Sequence, residues 1–142
     1  MGRHDDETIL PEWTLARGIR PDWFEIDENG KEFIQSRAFD DSKQEASCFV
    51  LEETSGLEGF RRDILPILEK DLETKLRIGT VNVATARACG FWIYRKPEEF
   101  YGNPAHVVLC PPQVENISRS KFKNQARAVA EKAIPHPIEE GS

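Results

Sequence analysis

The sequence predicts an α+β fold: a single small domain in which a mixed sheet is covered by two main helices. Three observations carry that expectation. Apolar runs at 47–52, 91–94 and 105–110 have strand length and are bounded by turn signals. Residues 60–76 place Ile64, Leu65, Leu68, Leu72 and Leu76 at helical spacing. Residues 118–133 place Phe122, Ala126, Val129, Ala130 and Ala133 along one stripe. The chain has 142 residues, the length of one domain, and a domain of that size buries about 70% of the surface its unfolded chain exposes.

The elements follow in order. Residues 1–12 read as a flexible N-terminal arm, and the domain proper as 13–133. A first strand or edge segment at 13–19 is stopped by Arg20-Pro21, because a residue before proline avoids the helical region. Residues 21–24 suggest a turn. Asp27-Glu28-Asn29-Gly30 is a stronger one, with Asn-Gly suited to positive φ. Residues 33–39 have no clear assignment, and 40–43 read as loop. The run 47–52 is a strand buried on both faces. Pro66 sits inside the first helical stripe, where it either occupies a first turn or bends the helix. A strand at 77–83 and a short helix at 83–89 ended by Gly90 come next. The strand at 105–110 is stopped by Pro111-Pro112. Ser118 or Ser120 caps the last helix. Pro135 and Pro137 end it, leaving 134–142 as a C-terminal tail.

Composition narrows the function classes. Hydrophobic residues make up 39% and charged residues 31%, a globular rather than a disordered balance. No run approaches the 18 or so apolar residues of a membrane span, and the acidic start lacks a signal-peptide core. These features lead us to expect a cytoplasmic protein. Cys48, Cys89 and Cys110 are odd in number, widely spaced and set among apolar neighbours, so they are expected as reduced, buried thiols. Net charge is −6, unevenly spread. Residues 1–117 carry net −8, and 118–133 carry net +4 through Arg119, Lys121, Lys123, Arg127 and Lys132 against Glu131. An acidic body argues against duplex nucleic acid as a partner. The basic helix is the one exception, and its apolar face is needed for the core.

Two polar signatures stand beside residues that want burial. One is Arg17-Gly18-Ile19-Arg20-Pro21-Asp22-Trp23, the other Asn103-Pro104-Ala105-His106 ahead of Val107-Val108-Leu109-Cys110. An unpaired polar group in such a setting costs a few kcal/mol, so something must pair these. Arg17 and Arg20 beside Trp23 could grip a phosphate or carboxylate, with the indole stacking on a base or an arginine. The structural alternative has Asp22 pairing an arginine while Trp23 plugs the core. His106 could transfer a proton or contact a ligand. Alternatively, its imidazole bonds a loop carbonyl and orders the turn at 103–104. Ser36 lacks the G-x-S-x-G elbow of a serine nucleophile. A His106–Cys110 pair fails on geometry, since four residues of strand span about 13 Å and a nucleophile pair needs hydrogen-bond reach. The histidines and cysteines show no metal-ligand spacing. No glycine-rich phosphate loop is present, and no cofactor is implied.

The order of signatures is Arg17-x-x-Arg20-Pro21-x-Trp23, Asp27-x-Asn29-Gly30, Ser36-x-Ala38-Phe39 and Asn103-Pro104-Ala105-His106, followed by a strand and an Ala/Arg-rich helix. It resembles a group of small uncharacterised bacterial proteins over most of 13–133. The resemblance implies an accessory gene, in a defence or conflict cluster, and carries over no activity or catalytic residue. The segment at 57–80, with its Pro66 helix, is longer than that group leads us to expect.

Two functions are expected from these residues. The first is a non-catalytic cytoplasmic binding or accessory protein acting through a protein partner, the reading favoured because no catalytic motif is present. The second is a small enzyme or a nucleotide- or anion-binding protein with Arg17, Arg20, Ser36 and His106 round one cleft. The candidate binding residues are Arg17, Arg20, Asp22, Trp23, Ser36, Asn103 and His106. No catalytic or metal-ligating residue is assigned. The two signatures are expected to be neighbours in space, each satisfying the other.

Overall fold

The computed structural model describes residues 4–40, 44–112 and 118–137. The loop expected at 41–43, the first three residues of the arm and the last five of the tail lie outside the described residues. A six-stranded sheet forms the centre. Its strands are β1 (Thr14–Ile19), β4 (Ala46–Val50), β5 (Arg77–Asn82), β6 (Trp92–Arg95), β7 (His106–Cys110) and β8 (Ile134–His136). Their order is β6-β7-β4-β1-β5-β8. The architecture is α+β, as expected. The sheet, however, is not mixed: each of its pairings is antiparallel. A separate hairpin joins β2 (Phe24–Ile26) to β3 (Glu32–Ile34). Its turn is the Asp27–Gly30 signal: Asp27 Oδ1 accepts from the amides of Asn29 and Lys31, both at 2.9 Å, and Gly30 takes φ 81°.

Register assigns each side chain to a face, since successive residues of a strand alternate. Leu15 pairs with Val50 and Val81, Cys48 with Val107, and Ile93 with Leu109. These residues build one face, packed under α4 (Arg119–Lys132), from which Phe122, Ala126, Val129 and Ala130 enter the same core. The stripe read from the sequence is therefore the buried one. Ser118 caps α4, its side chain accepting from the Lys121 amide.

The opposite face carries Ala16, Phe49, Ile78 and His106. It lies beneath a helical run made of α1 (Gly56–Gly59), a π-helical turn (Phe60–Ile64) and α2 (Leu65–Leu72). The wide turn immediately precedes Pro66, which falls in the first turn of α2 and has no N–H to give. Gly18 lets this helix approach: a Cβ there would meet Leu76 at 3.1 Å and Leu68 at 3.4 Å. The helical stripe expected to run through Leu76 stops at Leu72. Glu73 turns left-handed at φ 55°, and the Glu69 carboxylate takes the Leu76 amide at 2.9 Å. Leu76 is buried as the lead-in to β5, and Leu72 stays exposed. The remaining short helix is α3 (Val83–Ala88), capped by Asn82 Oδ1 on the Ala84 amide.

Both ends of the domain depart from the expectation of loose segments. Ile9 is fully buried in the α4-side core. The Asp6 amide donates to the Ile93 carbonyl, and the Ile93 amide donates to Asp5 Oδ1. Asp5 and Asp6 also pair with Arg87 and Arg95 at 3.1 and 3.6 Å. The arm thus covers the outer edge of β6, which would otherwise offer unpaired backbone groups to another chain. Beyond α4, residues 134–136 form the edge strand β8 on β5. Proline at 135 suits an edge, where a missing ladder donor is tolerated. Deleting residues 1–9 is expected to lower stability by about 2–4 kcal/mol, mainly from the buried Ile9. The same deletion should promote self-association through β6. Denaturant titration and light scattering check both; a truncated chain as stable and monomeric as the full one would contradict the assignment.

Candidate functional site

Arg17 sits on the α4-side face, where β1 and β4 diverge. Their pairing runs only through Leu15–Val50 and Ala16–Phe49. Beyond that point the Arg17 guanidinium takes over from backbone: Nε donates to the Ala38 carbonyl and Nη1 to the Ser47 carbonyl, both at 2.7 Å. The guanidinium lies 5.8 Å from the Phe39 ring centroid. It ties the 36–39 segment to the sheet. Nearby Cys48 is fully buried, and burial pushes its thiol up to about 11, partly opposed by the Arg17 charge. Such a thiol is packing, not a nucleophile. Cys48 and Cys110 are buried and Cys89 is half-buried.

Two arginines stand over the Trp23 ring, Arg20 at 5.9 Å and Arg37 at 5.0 Å from its centroid. The indole packs on the α4-side core, and its buried N–H has no partner among the described residues. Among the described residues Asp22 pairs with no arginine, so that part of the structural alternative does not hold, and Asp22 is exposed. Ser36 opens a 3-10 turn, Ser36–Ala38. Together with Phe33, Gln35 and Arg37 it faces Arg127 and Glu131 of α4 across a cleft of about 390 Å³.

His106 stands on the other face of the sheet. It pairs with Phe49, which pairs with Ala16, so all three share the α2 side while Arg17 points away. His106 is 2% exposed. Its Nδ1–H donates to the Lys96 carbonyl at 2.6 Å, while the Lys96 amide donates back to the His106 carbonyl at 3.0 Å. A carbonyl can only accept, so the neutral ring carries its proton on Nδ1. The imidazole lies edge-on to Phe49 at 5.1 Å and stacks on Phe100 at 6.2 Å. Burial lowers its pKa, with the Lys96 carbonyl acting the other way. Asn103 closes the turn: its Oδ1 accepts from the Ala105 amide and its carbonyl from the His106 amide. Asn103 also edges a second cleft, of about 320 Å³, against Thr54, Ser55 and Asp63. The two carboxylates of that cleft are already engaged, Glu53 by Arg95 at 2.6 Å and Asp63 by Arg62 at 2.8 Å.

The expectation that the two signatures satisfy each other is therefore corrected. Each finds partners within its own side of the sheet, because a one-residue step along β1 reverses the face. Arg17, Arg20, Trp23 and Ser36 belong to the α4 side, Asn103 and His106 to the α2 side. Sequence reasoning passed over Arg37 and Arg127 as binding residues, although Arg37 stood inside the quoted 36–39 segment and Arg127 in the basic helix. It also passed over Arg77, which bonds Glu32 through both terminal nitrogens at 2.7 and 2.6 Å and lies 4.0 Å over Phe24. That arginine anchors the hairpin and holds the Glu32 carboxyl below its ordinary range.

No family model, curated protein or solved structure matches this chain. Among the described residues, no three His, Cys, Asp or Glu side chains group as metal ligands, and no helix is long and apolar enough to cross a membrane.

His106→Ala is expected to cost on the order of 1–3 kcal/mol, since it strands the Lys96 carbonyl and opens the space between two phenyl rings. The pH dependence follows from the lowered pKa. The unfolded chain binds the proton more readily, so the stabilisation is complete above the ordinary histidine value near about 6.5 and is lost as pH falls through the folded value. His136, also lowered, chiefly by burial, adds to the same slope. Thermal melts over roughly one unit either side of that value should show a midpoint that falls as pH drops. In His106→Ala the fall should be shallower. An unchanged slope would remove His106 from the linkage.

Proposed function

We propose that this chain is a non-catalytic cytoplasmic binding protein that acts through a protein partner. One observation carries the reading. The polar groups a small enzyme would need are divided between two faces of the sheet, with Arg17 spent on carbonyls and His106 buried against Phe49 and Phe100. A general acid or base must reach the proton it moves, and an imidazole with 2% exposure on the far side from the arginines does not. The bacterial defence or conflict setting suggested by the motif order belongs to the same proposal.

The test is capture from native lysate on the full chain, compared with His106→Ala. The expected result is a variant that melts lower yet captures the same protein. Loss of capture at unchanged stability would place His106 in the functional site and overturn the reading.

A specific observation favours the second reading in its non-catalytic form, an anion-binding protein. Arg37 and Arg127 reach one cleft and form no ion pair among the described residues.

A further inference from the structure

Resting on that second reading, we propose that the cleft between the 33–37 segment and α4 binds a phosphate monoester attached to a planar ring, of the size of a nucleoside monophosphate.

Charge is the first argument. The chain has 25 acidic and 19 basic residues, and four arginines elsewhere in the body follow that excess: Arg62, Arg77, Arg87 and Arg95 each meet a carboxylate. Arg37 and Arg127 form no such pair among the described residues, yet both line one concave site. The planar forks of two guanidinium groups suit the oxygens of a phosphate monoester, which can engage both at once.

Positioning is the second. Arg37 rests over the Trp23 ring at 5.0 Å. That contact orients a guanidinium through its face and leaves its N–H donors for a ligand. Arg20, over the same ring at 5.9 Å, adds positive potential nearby.

The rest of the cleft supplies the remainder of the molecule. Phe33 gives a ring that is 37% exposed, an apolar platform for a planar group. Ser36 and Gln35 offer neutral donors, and Glu131 an acceptor for sugar hydroxyls. A volume of about 390 Å³ falls within the ordinary range for small-molecule sites. His106 and Asn103 lie on the far side of the sheet, so the site binds without their chemistry.

The experiment is titration of the full chain with AMP, adenosine, ribose 5-phosphate and inorganic phosphate, by calorimetry and by tryptophan emission. Trp23 lies directly under Arg37 and should report occupancy. Saturable AMP binding is expected, with adenosine weaker by about tenfold or more, the scale of one lost charge-assisted contact. Arg37→Glu and Arg127→Glu should each weaken AMP by about tenfold at unchanged melting temperature, because both side chains are exposed. Lys70→Glu on α2 is the control. Phe33→Ala should weaken AMP and leave inorganic phosphate unaffected. Adenosine binding as tightly as AMP would overturn the phosphate assignment. Phosphate binding as tightly as AMP would overturn the ring assignment while the anion-binding reading survives. Ribose 5-phosphate binding as tightly as AMP would likewise overturn the ring assignment, and binding of none of the four would overturn both.

Discussion

Gly59→Ala is expected to destabilise the protein by about 3–5 kcal/mol, at the upper end for a single substitution. An added Cβ would overlap the Thr54 carbonyl oxygen and stand 2.8 Å from the Thr54 carbonyl carbon and 2.9 Å from Ser55 Cβ. The nearest obstacle is backbone, which cannot rotate aside. Relief requires moving the turn that carries Ser55 and Gly56 into the helix, or moving the helix off the sheet. The next residue, Phe60, is fully buried against Phe49 with ring centroids 5.6 Å apart, so the second route breaks the α2-side core. Urea titration should show a lowered midpoint at similar slope. A loss below about 1 kcal/mol, the scale of a routine surface change, would show that the 54–59 turn relaxes freely.

Phe49→Ala is expected to cost about 3–5 kcal/mol by cavity formation. Phe49 is 1% exposed and its ring meets Phe60, Phe100 and His106, the last two at 4.8 and 5.1 Å. Removing it takes one wall from the imidazole. Water then reaches the ring, and the pKa that burial holds down should rise toward the ordinary value. Nuclear magnetic resonance titration of the His106 ring reads this directly. Phe49→Leu keeps most of the volume and should cost about 1–2 kcal/mol with a smaller rise. A large stability loss with an unmoved His106 pKa would show that the depression comes from elsewhere than this aromatic pocket.

The chain itself determined much of the local structure. The strands near 47–52, 91–94 and 105–110 and the stripe of α4 were legible because strand and helix periods select one face of each segment for burial. The Asp27–Gly30 turn was legible because its residues act on their own backbone. The meaning of isolated polar residues was not legible. Arg17 reads as an anion grip until β1 and β4 diverge beside it and the carbonyls of Ala38 and Ser47 take its donors. His106 reads as a general base until the Phe49 pairing turns it under the helix. The arm at 4–12 and the strand at 134–136 are polar or proline-bearing, so nothing in their own pattern announces that the first covers the β6 edge of the sheet and the second adds an edge strand beside β5.

Tertiary structure also decided which arginines meet a carboxylate. An arginine's sequence neighbours do not tell whether a carboxylate from a distant strand will reach it, as Glu32 reaches Arg77 across 45 residues. Arg37 and Arg127 stand apart in sequence and meet only because α4 packs across the 36–38 turn. Local propensity acts within a few residues and can be read along the chain. Ion pairing and burial act across the fold, and they are settled only when register assigns each side chain its face.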